Sequence, residues 1–106
     1  MGRIVITCYR PRPGAAEALL AIVREHVPML QQLGLASARA PVLMKAGDGS
    51  LLEVFEWDSV EAIAQAHADP VVQALWQRFD AACEHATLAG LAEAAGLFAE
   101  FTPLDA

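Results

Sequence analysis

Tyr9, Glu53 and His67 are the side chains of this 106-residue sequence whose chemistry suits moving a proton. A neutral imidazole can take the proton of a phenol or enol and hold it, leaving an electron-rich substrate behind. Glu53 stands inside the apolar run "LLEVFEW", Leu51 to Trp57, where an unpaired carboxylate among rings is strongly disfavoured. It is therefore expected to pair with Tyr9, Arg39 or Lys45, to reach water, or to stay protonated. The plainer alternatives are an ordinary hydrogen bond for Glu53 near a strand end and, for His67, capping of the carbonyls left unpaired before Pro70.

The elements that must position these groups are readable from periodicity. "RIVITCY", Arg3 to Tyr9, is β-branched and continuous, and the prolines of "RPRPG" end it. From Ala15 the period becomes helical: Leu19, Ile22, Val23, His26, Leu30 and Leu33 share a stripe, and Gly34 is a natural C-cap. Pro28 lies inside that helix and predicts a kink or short break. "SARAPVLMKAGDGSLLEVFEW" reads as two antiparallel strands joined at Asp48-Gly49, and "DSVE" as a capping box with Asp58 accepting from the helix start. Asp69-Pro70 restarts a helix in which Val72, Leu75, Trp76, Phe79 and Cys83 keep helical spacing. Leu88 and Leu91 suggest a short extra turn, and "LFAEFTPL", Leu97 to Leu104, reads as a last strand whose Pro103 suits an edge.

The resulting order, β-α-β-β-α-β, predicts one α+β domain over residues 1–106. It is a ferredoxin-like fold with a four-stranded antiparallel sheet and helices on one face. Ile4, Ile6, Cys8, Val42, Met44, Leu52, Val54 and Phe101 would then be apolar on the uncovered face. The simplest cover is the same face of a second copy, a two-fold homodimer burying about 1,500 Å².

Composition narrows the partners further. Hydrophobic residues make up 56% of the chain at a mean hydropathy of +0.37, so some apolar surface is expected to enter a partner. A net charge of -6 with 7 scattered basic residues argues against nucleic acid and anionic membrane. No run approaches the length of a membrane span, and "MGRIVITCYR" is too short in its apolar part for a signal peptide, so a cytoplasmic protein is expected. Cys8 and Cys83 read as buried reduced thiols, and the three histidines lack the spacing of a zinc helix, so no metal is expected.

With "EVFEWDSVEAIAQAH" placed across the third strand and the next helix, the chain resembles the dimeric α+β barrel superfamily. Within it, the chain is most similar to the antibiotic biosynthesis monooxygenase-like group, in which a tryptophan ends that strand and a histidine follows about three turns into the helix. Trp57 and His67 occupy those places, and "DPVVQALWQRFDAACE" and "FAEFTPL" extend the likeness over nearly the whole chain. The resemblance implies a homodimer with one pocket per subunit between helices and sheet. It also implies oxidation of aromatic phenols without metal or flavin in some members, and haem degradation in relatives that carry an asparagine on the first strand. That position is Thr7 here, which argues against haem degradation because threonine offers no amide donor.

If Trp57 faces the helices, alternation brings Phe55 and Glu53 with it and sends Glu56 to the other face, as a rim or dimer-interface residue. Anchored at Thr7, the first strand adds Val5 and Tyr9. The second strand would add Arg39, Leu43 and Lys45, and the last strand Phe98 and Glu100. His26 reads as a core or pocket-wall histidine, Trp76 and Phe79 as inner-stripe packing that could also wall a ligand, and His85 as solvated near a helix end. Three functions follow as expectations. The first is a cofactor-independent monooxygenase or related proton-transfer enzyme, with His67 as base, Tyr9 and Glu53 orienting the substrate, and Phe55, Trp57 and Trp76 as wall. The second is a dimer binding a small apolar or aromatic molecule without chemistry, and the third a dimer with a filled core.

Overall fold

A computed structural model describes residues 1–104. Strand β1 (Arg3–Pro11) pairs with β3 (Leu51–Trp57) in the centre of the sheet, Thr7 opposite Glu53 and Val5 opposite Phe55. On the other side of β3 lies β2 (Val42–Lys45). The turn between them is closed by the Gly49 N–H donating to Ala46 O at 3.0 Å, with Gly49 at φ +93° and Asp48 accepting from the Ser50 N–H. Of the Asp48-Gly49 pair only the glycine takes a positive dihedral, which only a residue without Cβ adopts cheaply.

Helix α1 (Ala16–Gln32) buries Leu19, Ile22, Val23, His26, Val27 and Leu30. It runs through Pro28 without the expected break. The helix ends in a Schellman motif: Leu35 N–H donates to Leu30 O, Gly34 N–H donates to Gln31 O, and Gly34 stands at φ +74°. Leu33, expected on the buried stripe, is the C-cap and is exposed. Helix α2 (Val60–Ala68) is capped one residue later than the sequence suggests, by Ser59 accepting from Ala62 N–H, whereas the Asp58 N–H donates to Leu35 O. Asp69 separates it from α3 (Pro70–Ala82), accepting from Val71 and Val72 with Pro70 at the first position.

Cys83, in helical spacing with Phe79, is not helical: α3 stops at Ala82 and Cys83–Ala86 forms β4, antiparallel to β1 with His85 opposite Tyr9 and Cys83 opposite Pro11. A short polar strand of this kind is selected by the open edge of β1 and carries no pattern of its own. The expected last strand, Leu97 to Leu104, contracts to β5 (Thr102–Pro103) on the edge of β2, and Leu97 and Phe98 are exposed. Among the described residues the sheet therefore has five strands rather than four, in the order β4-β1-β3-β2-β5, every pairing antiparallel.

The helices cover one face. Tyr9, Leu43 and Leu51 pack there with Leu19, Ile22, Leu75 and Phe79, and Phe55 and Trp57 pack with Val27, Leu30, Ala62 and Val72. On the other face the chain supplies part of its own cover. The 3-10 turns Leu88–Gly90 and Ala92–Ala95 place Leu91 over Cys8, Ala46 and Leu52, with Met44 and Phe101 alongside. The rest of that face, Ile4, Ile6 and Val42, stays about half exposed. Among the described residues no helix is long and apolar enough to cross a membrane.

Candidate functional site

Between the sheet and α2 and α3 lies a cavity of about 430 Å³. Strand alternation sends Val5, Thr7 and Tyr9 of β1 and Phe55 and Trp57 of β3 to its wall. Helical spacing brings His26 from α1, Ile63 and His67 from α2, and Trp76, Phe79 and Asp80 from α3. The remaining wall residue is His85 of β4. Thr7, Tyr9, His26, Phe55, Trp57, His67, Trp76 and Phe79 are thus brought together around one void.

Glu53 lies directly behind this wall, fully buried. Its Oε1 accepts from the Tyr9 hydroxyl at 3.0 Å and lies 2.8 Å from His26 Nδ1, while Oε2 has no hydrogen-bond partner among the described residues. The Trp76 indole N–H donates to His26 Nε2 at 3.1 Å. Indole is a donor only, so Nε2 must present its lone pair and the proton sits on Nδ1, donating to Glu53. The network therefore has one direction, from Trp76 through His26 to Glu53 and from Tyr9 to Glu53. Of the partners expected for Glu53, Tyr9 is present. His26 takes the place of Arg39 and Lys45, a contact between residues 27 apart that no local pattern announces.

Burial first, then the charge of Glu53 and its hydrogen bond, push the Tyr9 phenol far above its ordinary range. It stays a donor at any pH the fold meets near neutrality. Its ring stacks on Phe79 with centroids 4.7 Å apart, and His26 meets Phe55 and Phe79 edge-on at 5.5 and 5.1 Å. Side chains held by both ring packing and hydrogen bonds give the inner wall a fixed shape.

The open end is different in kind. His67 is exposed and meets the Trp76 ring edge-on at 4.9 Å. Capping before Pro70 is done by other groups: Gln73 Nε2 donates to the His67 carbonyl at 2.7 Å, and the Asp69 N–H donates to Ala66 O. The imidazole is left free of that task. His85, expected to be solvated near a helix end, is exposed but lies at the cavity on β4, with Asp80 Oδ1 3.9 Å from its Nδ1. The sequence offers no signal for it, because the helical spacing of α3 runs on to Cys83, the first residue of its strand.

Other expected wall residues lie elsewhere. Leu43 is core beneath α1, and Lys45 lines a separate recess of about 290 Å³ with Glu17 and Leu104. Phe98 is 82% exposed and Glu100 is exposed as well, because their segment never joins the sheet on the cavity side. Arg39 precedes β2 and faces Glu56 at 3.4 Å. Glu56 thus has a partner in its own chain, and Ser37 and Arg39 hold its carboxyl below the usual range. Among the described residues no three His, Cys, Asp or Glu side chains are grouped to hold a metal ion.

No known family model matches the chain. A comparison with curated proteins likewise finds no match. Among solved structures, that of Rv0793 from Mycobacterium tuberculosis superposes with a TM-score of 0.65 at 20% identity, covering 81% of this chain and 89% of that one. At that identity the likeness is one of fold: an α+β domain with an open antiparallel sheet and helices.

Proposed function

We propose that the chain is a ferredoxin-like, dimeric α+β barrel protein of the antibiotic biosynthesis monooxygenase-like kind, acting on a small aromatic or enolisable molecule in the cavity between sheet and helices. The observation that carries this reading is the cavity itself. About 430 Å³ walled by Tyr9, His26, Phe55, Trp57, Trp76 and Phe79 is the size and chemistry that a flat apolar molecule requires. The partial order β4-β1-β3-β2, with helices on one face and β5 as an edge addition, supports the ferredoxin-like assignment. The half-exposed Ile4, Ile6 and Val42 support a homodimer through the sheet face. The free, buried thiols of Cys8 and Cys83 suit the cytoplasm.

In this reading His67 is the base. It takes the proton of a phenol or enol, and its imidazolium remains beside the substrate anion, which supplies the electrons to dioxygen without a bound cofactor. Glu53 is a positioning residue, fixing Tyr9 and His26. A second reading, a ligand-binding dimer without turnover, is favoured by one observation: Tyr9, His26 and Trp76 commit their protons to one another and to Glu53. Oxygen uptake with a panel of polyphenols, for the native chain and His67→Ala, separates the two. Uptake that the substitution abolishes supports the enzyme; binding without uptake in either protein supports the binding dimer.

A further inference from the structure

The exposure of the wall residues sorts them by depth. Tyr9, His26, Phe55, Trp57 and Phe79 are each less than a tenth exposed, whereas His67, Asp80 and His85 are open to solvent. The two levels differ in what they offer a ligand. Deep in the cavity the Tyr9 O–H and the His26 Nδ1–H point at Glu53, and the Trp76 N–H points at His26. Phe55 and Phe79 have no polar atom. Among the described hydrogen bonds, the Trp57 indole N–H alone of the deep wall stays uncommitted, the partly exposed Thr7 adds one hydroxyl beside that of Tyr9, and such neutral donors do not satisfy an ionised carboxylate. Behind the wall stands Glu53, whose Oε1 already accepts hydrogen bonds from both Tyr9 and His26. At the mouth, by contrast, two imidazoles and a carboxylate reach water.

We propose that this cavity selects aromatic molecules that are polar at one end only. The apolar end enters first, and the polar group stays at the mouth with His67, Asp80 and His85. The proposal rests on the reading of the cavity as a ligand site and adds the rule by which it chooses. It also assigns His85, on the short strand β4, a place beside the ligand's polar group. For the proposed chemistry this orientation leaves the ionisable hydroxyl where His67 can reach it and where the resulting charge remains hydrated.

The test compares isomers that differ only in where their polar groups stand. In calorimetric titrations of the native protein, 2-naphthol shows whether a one-ended aromatic binds. The isomers 3-hydroxy-2-naphthoate and 6-hydroxy-2-naphthoate carry the same hydroxyl and carboxylate, adjacent in the first and at opposite ends in the second. The second isomer is expected to bind at least about tenfold more weakly, because one of its ends must enter the deep wall without adequate donors. Equal binding of the isomers, or tighter binding of the opposite-ended one, overturns the selection rule while leaving the ligand site in place. Failure of all three to bind overturns the ligand site and the rule with it.

Discussion

His26 Nδ1 lies 2.8 Å from Oε1 of Glu53, and both side chains are buried in the helix-covered half of the molecule. The pair joins α1 to β3 at a point where both side chains are almost wholly buried. Its protonation is set from outside: the Trp76 indole occupies the other ring nitrogen and forces the proton to the Glu53 side.

Removing the shared acceptor should therefore be felt twice. In Glu53→Ala both the Tyr9 hydroxyl and the His26 Nδ1–H lose their partner, at about 1–3 kcal/mol each, or about 2–6 kcal/mol together. Glu53→Gln keeps an amide oxygen for both donors and should lose only about 1 kcal/mol. Urea unfolding of the two variants checks the order, and a Gln variant as unstable as the Ala variant would contradict the shared-acceptor geometry.

Stability should fall at alkaline pH. The phenol of Tyr9, the only tyrosine, is raised far above its ordinary range, so the folded state keeps a proton that the unfolded state releases above about pH 10. A raised folded value gives stability that is complete below the unfolded value and lost above it, here by about 1.4 kcal/mol per pH unit. The buried thiols of Cys8 and Cys83, raised chiefly by burial, act with the same sign from about pH 8.5. Tyrosinate absorbance is expected to appear together with loss of the fold; a separate titration near pH 10 in folded protein would count against a sealed Tyr9.

Leu91 is 4% exposed over Cys8 and Leu52, while Leu97, six residues on, is 93% exposed. Leu91→Ala should lose about 2–4 kcal/mol and Leu97→Ala no more than about 0.5 kcal/mol. Thermal unfolding of the pair tests whether the segment after β4 covers the far face.

Ile6 is 50% exposed in the middle of the open part of that face. If a second copy covers it, Ile6→Glu buries a charge on both sides of the contact and should convert a dimer to a folded monomer. Light scattering at a series of concentrations decides: a native chain that is already monomeric removes the proposed dimer.

Much of this arrangement was legible in the residues. The alternation of "RIVITCY" and "LLEVFEW" placed Tyr9, Glu53, Phe55 and Trp57 on one side, because a pleated strand with two different faces leaves no freedom of register. The stripe through His26 was equally clear, but its partner was not: residues 26, 53 and 76 meet only after three elements have packed. Two departures from periodicity share one cause. Cys83 prolonged the helical period of α3 while belonging to β4, and "LFAEFTPL" alternated without a face to bury. Periodicity records which side chains an element can hide, not whether an edge is vacant to receive it.

Nothing separates Ala82, the last residue of α3, from Cys83, the first of β4. Arg12 fastens this corner, its N–H donating to Ala82 O and its guanidinium to Asp80 O. The helix bearing Trp76 and Phe79 and the strand bearing His85 consequently form one bent lever without a joint. A single inserted residue at that corner would reverse the facing of every later β4 side chain. Glu84 would then swing to the mouth in place of His85, an acid replacing an imidazole through a change in spacing alone.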